Sequence, residues 1–192
     1  MDYLYDLFIS YKRDGYSGLW VQNHFYPALE GWLVQELGTA SIAFDQIQEP
    51  GKKWPEELRE RLLHSRLLVC IWSAPYFRSD WCLAEWKSMA AREELFKGTL
   101  PSPLIYPIVY ADGEHFPPEA KTTSAEVDLH EYGYPNVEFS RTPEYLRFHD
   151  KVKIIAQKLA RRISQVPPWE AGWPVVDITR LPVPPPMDKP QQ

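Results

Sequence analysis

The sequence predicts an α/β fold, a three-layer sandwich whose central parallel sheet of four to five strands carries helices on both faces. Two observations support this fold. Short apolar runs, typical of buried strands, alternate with longer segments whose apolar residues recur at helical spacing. The clearest runs are continuously apolar, as in parallel strands that are covered on both sides. Hydrophobic residues make up 44% and charged residues 24% of the 192 positions, which is typical of a globular domain.

The first half of the chain predicts two strands and a helix between them. Tyr5–Ser10 (YDLFIS) is a short apolar run that fits a buried strand. A helical pattern that begins near Val21 ends at Gly38, a residue type that often terminates helices. Pro27 lies inside this pattern, so we expect a kink or a later helix start there. Residues 41–44 (SIAF) are the second predicted strand.

The strongest strand signal lies in the middle of the chain. Residues 66–73 (RLLVCIWS) form a continuous β-prone apolar run with polar residues on either side. A helix that starts near Pro55 precedes this strand, since proline favours the first helical position. A second helix follows and extends to about Lys97. Ser79 is its predicted N-cap, and Asp80 in its first turn suits the helix dipole.

The last third of the chain predicts a fourth strand, a weak fifth strand and a long helix. Residues 103–110 (PLIYPIVY) are apolar, but Pro107 removes one ladder donor, which predicts a sheet edge or a strand end. A weak strand is expected near residues 137–139, and a helix with an apolar stripe runs from Pro143 to about Ser164. Residues 1–165 are therefore expected to form the domain.

Residues 166–192 differ in composition from the rest of the chain. They contain eight prolines in 27 positions, which predicts an extended Pro-rich tail with polyproline II character. Two alternatives follow for its first half. Either Trp169 and Trp173 pin it onto the domain, or it is a disordered terminus.

Composition excludes several classes of function. The net charge is −5, and no run of basic residues is longer than a pair such as Arg161 and Arg162, so no nucleic-acid partner is expected. Cys70 and Cys82 form no C-x-x-C pair and the five histidines show no ligand spacing, so we expect no metal. No apolar window approaches a membrane span, and the N-terminus lacks signal-peptide features, so we expect no membrane partner and a cytoplasmic location.

Function is expected where the first three strands end. Ligands of parallel sheets gather beyond the carboxyl ends of the strands, and three loops leave those ends: residues 11–18, 45–53 and 74–79. Trp81 and Glu85 follow the third loop and are four residues apart, so they lie on the same face of the predicted helix. A solvated glutamate and a core tryptophan are the usual interpretation of such a pair. A carboxylate beside an aromatic plate is the functional one.

Three segments together resemble one protein family. YDLFISYKRD resembles its first box, FDQIQEPGKKW its second strand end with a Pro-Gly BB loop, and LLVCIWSAPYFRSDWCLAEW its third strand, loop and helix. The chain thus resembles a Toll/interleukin-1 receptor (TIR) domain of bacterial type, over roughly residues 3–165. The resemblance implies a flavodoxin-like fold. A flavin site is not expected, because no Ser/Thr/Gly-rich loop follows the first strand.

The resemblance implies two possible functions. Many TIR domains cleave NAD+ at the nicotinamide–ribose bond, giving ADP-ribose or a cyclic isomer, and bacterial ones often serve antiphage defence. Others are non-catalytic adaptors that act through TIR–TIR contacts, in which the BB loop commonly takes part. NAD+ is then a substrate and not a cofactor, since the chain has no G-x-G-x-x-G motif. Self-association and a separate sensor or effector protein are the other expected partners.

The resemblance also assigns the site residues. Glu85 matches the catalytic glutamate, and Trp81 matches the tryptophan four residues before it. Ser10, Tyr11 and Arg13 lie at the first strand end, where family members line the nucleotide site, and a surface charge is the alternative for Arg13. Asp45 ends the second strand and is a further candidate, which either holds a ribose hydroxyl or braces the loop.

Overall fold

The computed structural model describes residues 2–44, 54–111, 113–118, 120 and 125–176. Within these residues, the five strands form one parallel sheet in the order β2-β1-β3-β4-β5. This confirms the predicted α/β fold with a central parallel sheet. The strands are β1 (Tyr5–Ser10), β2 (Ile42–Phe44), β3 (Ser65–Trp72), β4 (Ile105–Val109) and β5 (Val127–Asp128).

Five helices that the structure describes in full surround the sheet: α1 (Tyr16–Trp20), α2 (Tyr26–Leu37), α3 (Trp54–Leu63), α4 (Asp80–Leu95) and α5 (Pro143–Ile163). The chain moves from β1 to β2 in one direction and from β2 through β3 to β4 in the other. Since crossovers between parallel strands are right-handed, α1 and α2 cover one face of the sheet while α3 and α4 cover the other. Helix α5 packs against α2 and completes the first layer.

The sheet corrects two expectations about strands. Pro107 does not lie at an edge, because β4 sits between β3 and β5 and Pro107 pairs with Cys70. The Pro107 carbonyl accepts from the Glu126 amide (3.0 Å), so the proline nitrogen also faces the β5 side. Because β5 has only two residues, few ladder bonds are available there to be lost.

The prediction of a weak strand near residues 137–139 was wrong. Val137–Arg141 forms a 3₁₀ turn, and the fifth strand is instead Val127–Asp128. The turn buries the Phe139 ring against His24 and Tyr145, with ring centroids 5.2 Å apart in both cases. Aromatic packing on the α1–α5 side therefore outweighs the strand propensity of this segment.

The helix after β1 shows the interruption expected at Pro27. A π-helical turn, Val21–Phe25, precedes α2, and Pro27 lies in the first turn of α2, where its missing amide costs little. The π turn buries the His24 side chain, which is only 1% exposed. His24 Nε2 donates to the Asn136 carbonyl oxygen at 2.8 Å.

Because His24 is buried, we expect the protein to lose stability at mildly acidic pH. Burial lowers the pKa of His24 from its ordinary 6.5, so the unfolded chain takes up the proton first as the pH falls. The free energy of unfolding should therefore be highest above pH 6.5 and decrease as the pH falls below this value. Urea denaturation at about pH 7.5 and about pH 5.5 measures this decrease.

The matched variant for this prediction is His24→Gln, whose amide can still donate to Asn136 but does not titrate. It should lose less stability than the wild type between the two pH values. An equal loss in both proteins would show that His24 is not responsible. The comparison is needed because burial also lowers the pKa of His149.

Residues 166–176 form what we call the C-terminal strap. Trp173 is buried, and its ring lies 4.1 Å from the Arg92 guanidinium carbon. Trp169 stacks on His64 with ring centroids 5.1 Å apart and donates from Nε1 to the Leu63 carbonyl oxygen at 3.2 Å. The first half of the Pro-rich segment is thus docked, and the two tryptophans pin it. Residues 177–192 lie outside the described residues, and the division into 1–165 and 166–192 stays a prediction.

Candidate active site

Helix α4 carries Glu85 to the carboxyl end of β1. The helix begins at Asp80, and its N-cap Ser79 accepts the Cys82 amide through Oγ at 3.4 Å, which confirms the predicted cap. Glu85 lies in the second turn, and its side chain is 7% exposed. Carboxylates are seldom buried without polar partners, because desolvation of the charge is costly.

Ser10, the last residue of β1, provides such a partner. Its Oγ donates to Glu85 Oε2 at 2.5 Å, and both side chains are buried. Since this bond uses the only Ser10 hydroxyl proton, Ser10 Oγ accepts from the Tyr76 hydroxyl, 3.0 Å away, which shares its one proton with the Cys82 carbonyl oxygen at 3.3 Å. Tyr76 is fully buried in the 3₁₀ turn after β3. A tyrosine, a serine and a glutamate from three separate segments thus form one chain of hydrogen bonds.

Tyr76 is the member of this chain that sequence reasoning did not assign to the site. It lies within the predicted loop 74–79, where no individual role was assigned to it. Its burial and its contact with Ser10 come from the parallel pairing of β1 with β3, which brings the ends of the two strands together. The available signal was its position in the S-x-x-Y-x-x-S segment.

Tyr11 and Arg13 lie in the loop that leaves β1. Tyr11 is buried and Arg13 is half-buried. The loop folds back tightly onto α1, because a Cβ at Gly18 would lie 1.7 Å from the Arg13 carbonyl oxygen. Only glycine permits this approach, and the Ser17 hydroxyl adds a bond to the Lys12 carbonyl oxygen at 3.2 Å. The backbone of Arg13 is therefore held at the same end of the sheet as Glu85, beyond the carboxyl end of β1.

Trp81 and Asp45 complete the predicted set. Trp81 is half-buried on α4 and precedes Glu85 by four residues, which places the two on the same helix face. Asp45 lies outside the described residues. Four of the five other predicted residues thus lie on the segments that meet at Glu85: Ser10, Tyr11, Arg13 and Trp81.

An aromatic cluster lies beside Glu85 on α4. Trp86 is half-buried and packs against Trp72 and Phe77, with ring centroids 5.9 Å apart in both cases. Phe116 closes the cluster at 5.0 Å from Phe77. Trp86 thus packs towards the core.

The two thiols near Glu85 have the wrong ionisation state for nucleophilic chemistry. Burial raises the pKa of both Cys70 and Cys82 well above the usual range of a thiol. Glu85 adds to this shift in both residues, because its negative charge disfavours a thiolate. Protonated thiols are poor nucleophiles, so neither cysteine is suited to that role.

The described residues show neither a metal cluster nor a membrane-spanning helix. No three His, Cys, Asp or Glu side chains are grouped so that they could hold a metal ion. Among the helices of the described ranges, none combines the length and apolar character needed to cross a membrane.

Comparison with known proteins finds a receptor and structures of TIR domains. Mouse Toll-like receptor 12 is 31% identical over 83 residues, which cover 43% of this chain and 9% of that receptor. The TIR domain of the Toll-related receptor TRR-2 from Hydra magnipapillata is 18% identical over 78% of this chain and 98% of its own, with a TM-score of 0.45. The TIR domains of the activated Roq1 resistosome are 20% identical over 84% and 96%, with a TM-score of 0.43.

A family model covers more than half of this chain, whereas Toll-like receptor 12 matches 43% of it. The model described as "TIR domain" matches residues 7–139, which include most of β1, all of β2 to β5, Ser10 and Glu85. This chain therefore belongs to the TIR domain family.

Proposed function

We propose that this chain is an NAD+ nucleosidase that cleaves the bond between nicotinamide and ribose, with Glu85 as the catalytic residue. The observation that supports this function most directly is the Glu85 carboxylate, buried at the carboxyl end of the sheet and held by Ser10 at 2.5 Å. A purely structural glutamate has no need of this position. In α/β folds, ligands bind beyond the carboxyl ends of the parallel strands.

One fixed carboxylate suits this reaction. When the glycosidic bond breaks, its electron pair passes to the positively charged nicotinamide nitrogen, so the leaving group departs neutral and needs no proton from the enzyme. Positive charge develops on the ribose, and an anionic carboxylate stabilises it, as in other oxocarbenium-like reactions. Water then attacks the anomeric carbon and loses a proton to give ADP-ribose. A nitrogen of the adenine ring attacking the same carbon gives a cyclic product.

The surrounding residues supply binding contacts in this proposal. Trp81, one helical turn before Glu85, offers an aromatic face to a ring of the substrate. Arg13 is the cation for the pyrophosphate, and Ser10 and Tyr11 line the site at the end of β1. Asp45 is assigned to a ribose hydroxyl. No metal is needed, because the leaving group is already activated.

The alternative function is a non-catalytic adaptor that works through TIR–TIR contacts. The match to Toll-like receptor 12, a receptor by its name, favours this alternative. Scaffolding alone gives no role to a buried, serine-bound glutamate, so we rank it second. The two functions are compatible if self-association completes the site. We place the enzyme in cytoplasmic immune signalling or antiphage defence, coupled to a separate sensor or effector.

The test is incubation of NAD+ with concentrated, assembled protein, followed by chromatography and mass spectrometry. A crowding agent favours assembly, and Glu85→Gln prepared in parallel controls for contaminating enzymes. Loss of NAD+ with release of nicotinamide supports the proposal. The second product distinguishes hydrolysis from cyclisation, since a cyclic product is lighter than ADP-ribose by one water. No turnover by assembled wild type would favour the adaptor.

Ser10→Ala is expected to lower kcat by about tenfold, because the carboxylate loses a hydrogen bond that fixes its position. Ser10→Thr is the matched variant, since it keeps the hydroxyl and suits a strand. Steady-state kinetics should show that threonine retains more activity than alanine. Equal activity of wild type and Ser10→Ala would mean that the Ser10–Glu85 bond does not position Glu85 for the reaction.

A further inference from the structure

A surface pocket lies outside the candidate active site, at the N-terminal end of α5. Its volume is about 310 Å³. This is near the lower end for small-molecule sites, so one long side chain fits better than a dinucleotide. We call it the Tyr134 pocket. Its walls come from two stretches of chain before and at the start of α5: Tyr134, Pro135, Asn136, Glu138, Phe139, Thr142 and Glu144.

The walls of the Tyr134 pocket are held in place by bonds to the π-helical turn. Asn23 Nδ2 donates to the Pro135 carbonyl oxygen at 2.8 Å, and His24 Nε2 donates to that of Asn136 at 2.8 Å. On the other side, Thr142 Oγ1 donates to the Phe139 carbonyl oxygen at 2.8 Å. These hydrogen bonds form within the protein and need no ligand. The pocket is therefore preformed, which lowers the entropic cost of binding.

The lining combines aromatic rings with negative charge. The Tyr134 and Phe139 rings lie 5.4 Å apart, and Tyr134 is 58% exposed. The carboxylates of Glu138 and Glu144 add two negative charges, and the lining contains no lysine or arginine. Within the described ranges, neither glutamate has an ion-pair partner. Aromatic faces and unpaired carboxylates both attract cations and disfavour anions.

Apolar surface extends beyond the pocket. Val137, between two lining residues, is 59% exposed, and Leu146 on α5 is 72% exposed. Leu146 lies at the start of α5, two residues after the pocket residue Glu144. A small free cation would leave these two side chains uncovered. A peptide with a cationic side chain between apolar residues would cover them.

We propose that the Tyr134 pocket docks a lysine or arginine side chain of a partner protein, with apolar neighbours of that residue covering Val137 and Leu146. The pocket is separate from the Glu85 cluster, and the proposal does not depend on NAD+ cleavage. It assigns this end of α5 as an interaction surface with a stated specificity. The cation enters between the two carboxylates and over the Tyr134 ring.

The test uses two synthetic probes that differ only in charge. The first is the peptide acetyl-Ala-Leu-Arg-Leu-Ala-amide, and the second carries citrulline, a neutral isostere, in place of arginine. Each is titrated at millimolar concentration into the ¹⁵N-labelled full chain, and amide chemical shifts are followed by NMR. We expect the arginine peptide to shift the amides of the Tyr134 pocket, and the citrulline peptide to bind more weakly by at least about threefold.

Variants then assign the binding to the two carboxylates. Glu138→Gln and Glu144→Gln should each weaken the arginine peptide by about threefold. Glu131→Gln is the matched control, an exposed carboxylate on the preceding turn that does not line the pocket, and its binding should equal that of the wild type.

Four outcomes of the peptide titrations would overturn the proposal. These are equal binding of both peptides, shifts confined to another surface, no shift at all, and an effect of Glu131→Gln as large as that of the pocket variants. Shifts of the same amides with protein concentration alone would also overturn it, since the occupant would then be a second copy of this chain.

Discussion

Replacing Glu85 with glutamine should lower kcat for NAD+ cleavage at least about 100-fold, with a much smaller change in KM. Glutamine has nearly the same shape and can still accept the Ser10 hydroxyl through its amide oxygen. What it lacks is the negative charge that stabilises the developing cation on the ribose. Steady-state kinetics and a thermal unfolding curve of the same preparations separate this loss of chemistry from a loss of folding.

Glu93→Gln is the matched control for this variant. Glu93 is a half-buried glutamate on α4, two turns beyond Glu85, and its Oε1 accepts the Ile105 amide at 2.9 Å. Burial raises the pKa of Glu93, so a neutral side chain is tolerated there. Its activity should stay within a factor of about two of wild type. If Glu85→Gln retained comparable activity, the carboxylate would not be the catalytic group.

Replacing Trp173 with alanine should lower the free energy of unfolding by about 3 kcal/mol, as for other large buried aromatic residues. Two losses contribute. The indole leaves a cavity in the C-terminal strap, and Arg92, which is 1% exposed, loses the ring that covers its guanidinium. Arg92 still donates to the carbonyl oxygens of Ser65 and Leu62 at 2.9 and 3.2 Å. Urea denaturation at neutral pH measures the difference.

Trp173→Phe is the conservative variant, since it keeps an aromatic face over Arg92, and it should cost about half as much. Trp169→Ala should also cost less, because Trp169 is only half-buried. An unfolding free energy of Trp173→Ala within about 0.5 kcal/mol of the wild type would mean that the strap is not held by this residue.

The sequence predicted well those elements whose signals are local. β1 and β3 have continuous apolar runs, and their bounds were predicted to within one residue. Ser79 was identified as a cap because an N-cap needs only its own hydroxyl and the amide three residues later. Helix α5 followed from its apolar stripe. These features depend on neighbours in the chain, which the sequence displays directly.

Features that depend on distant partners were harder to predict. Ser10 is 75 residues from Glu85 and 66 from Tyr76, and their bonds arise only when β1 and β3 pair side by side. β5 was misplaced because two residues provide almost no periodicity to detect. Docking of Trp173 depends on Arg92, whose burial has no signature in a helix of mixed polarity. The family resemblance, and not spacing, singled out Glu85.

After α5, the C-terminal strap turns the chain back along the domain. Helix α5 ends near the amino end of β4, where Arg162 contacts the Pro103 and Ile105 carbonyl oxygens. The strap then passes Arg92 and reaches Ser88, whose Oγ accepts the Val176 amide at 2.9 Å. Ser88 is three residues, or about 4.5 Å of helix rise, from Glu85. A fluorophore attached at residue 176, which is 38% exposed, would therefore lie close to the level of Glu85 and report on that end of the sheet.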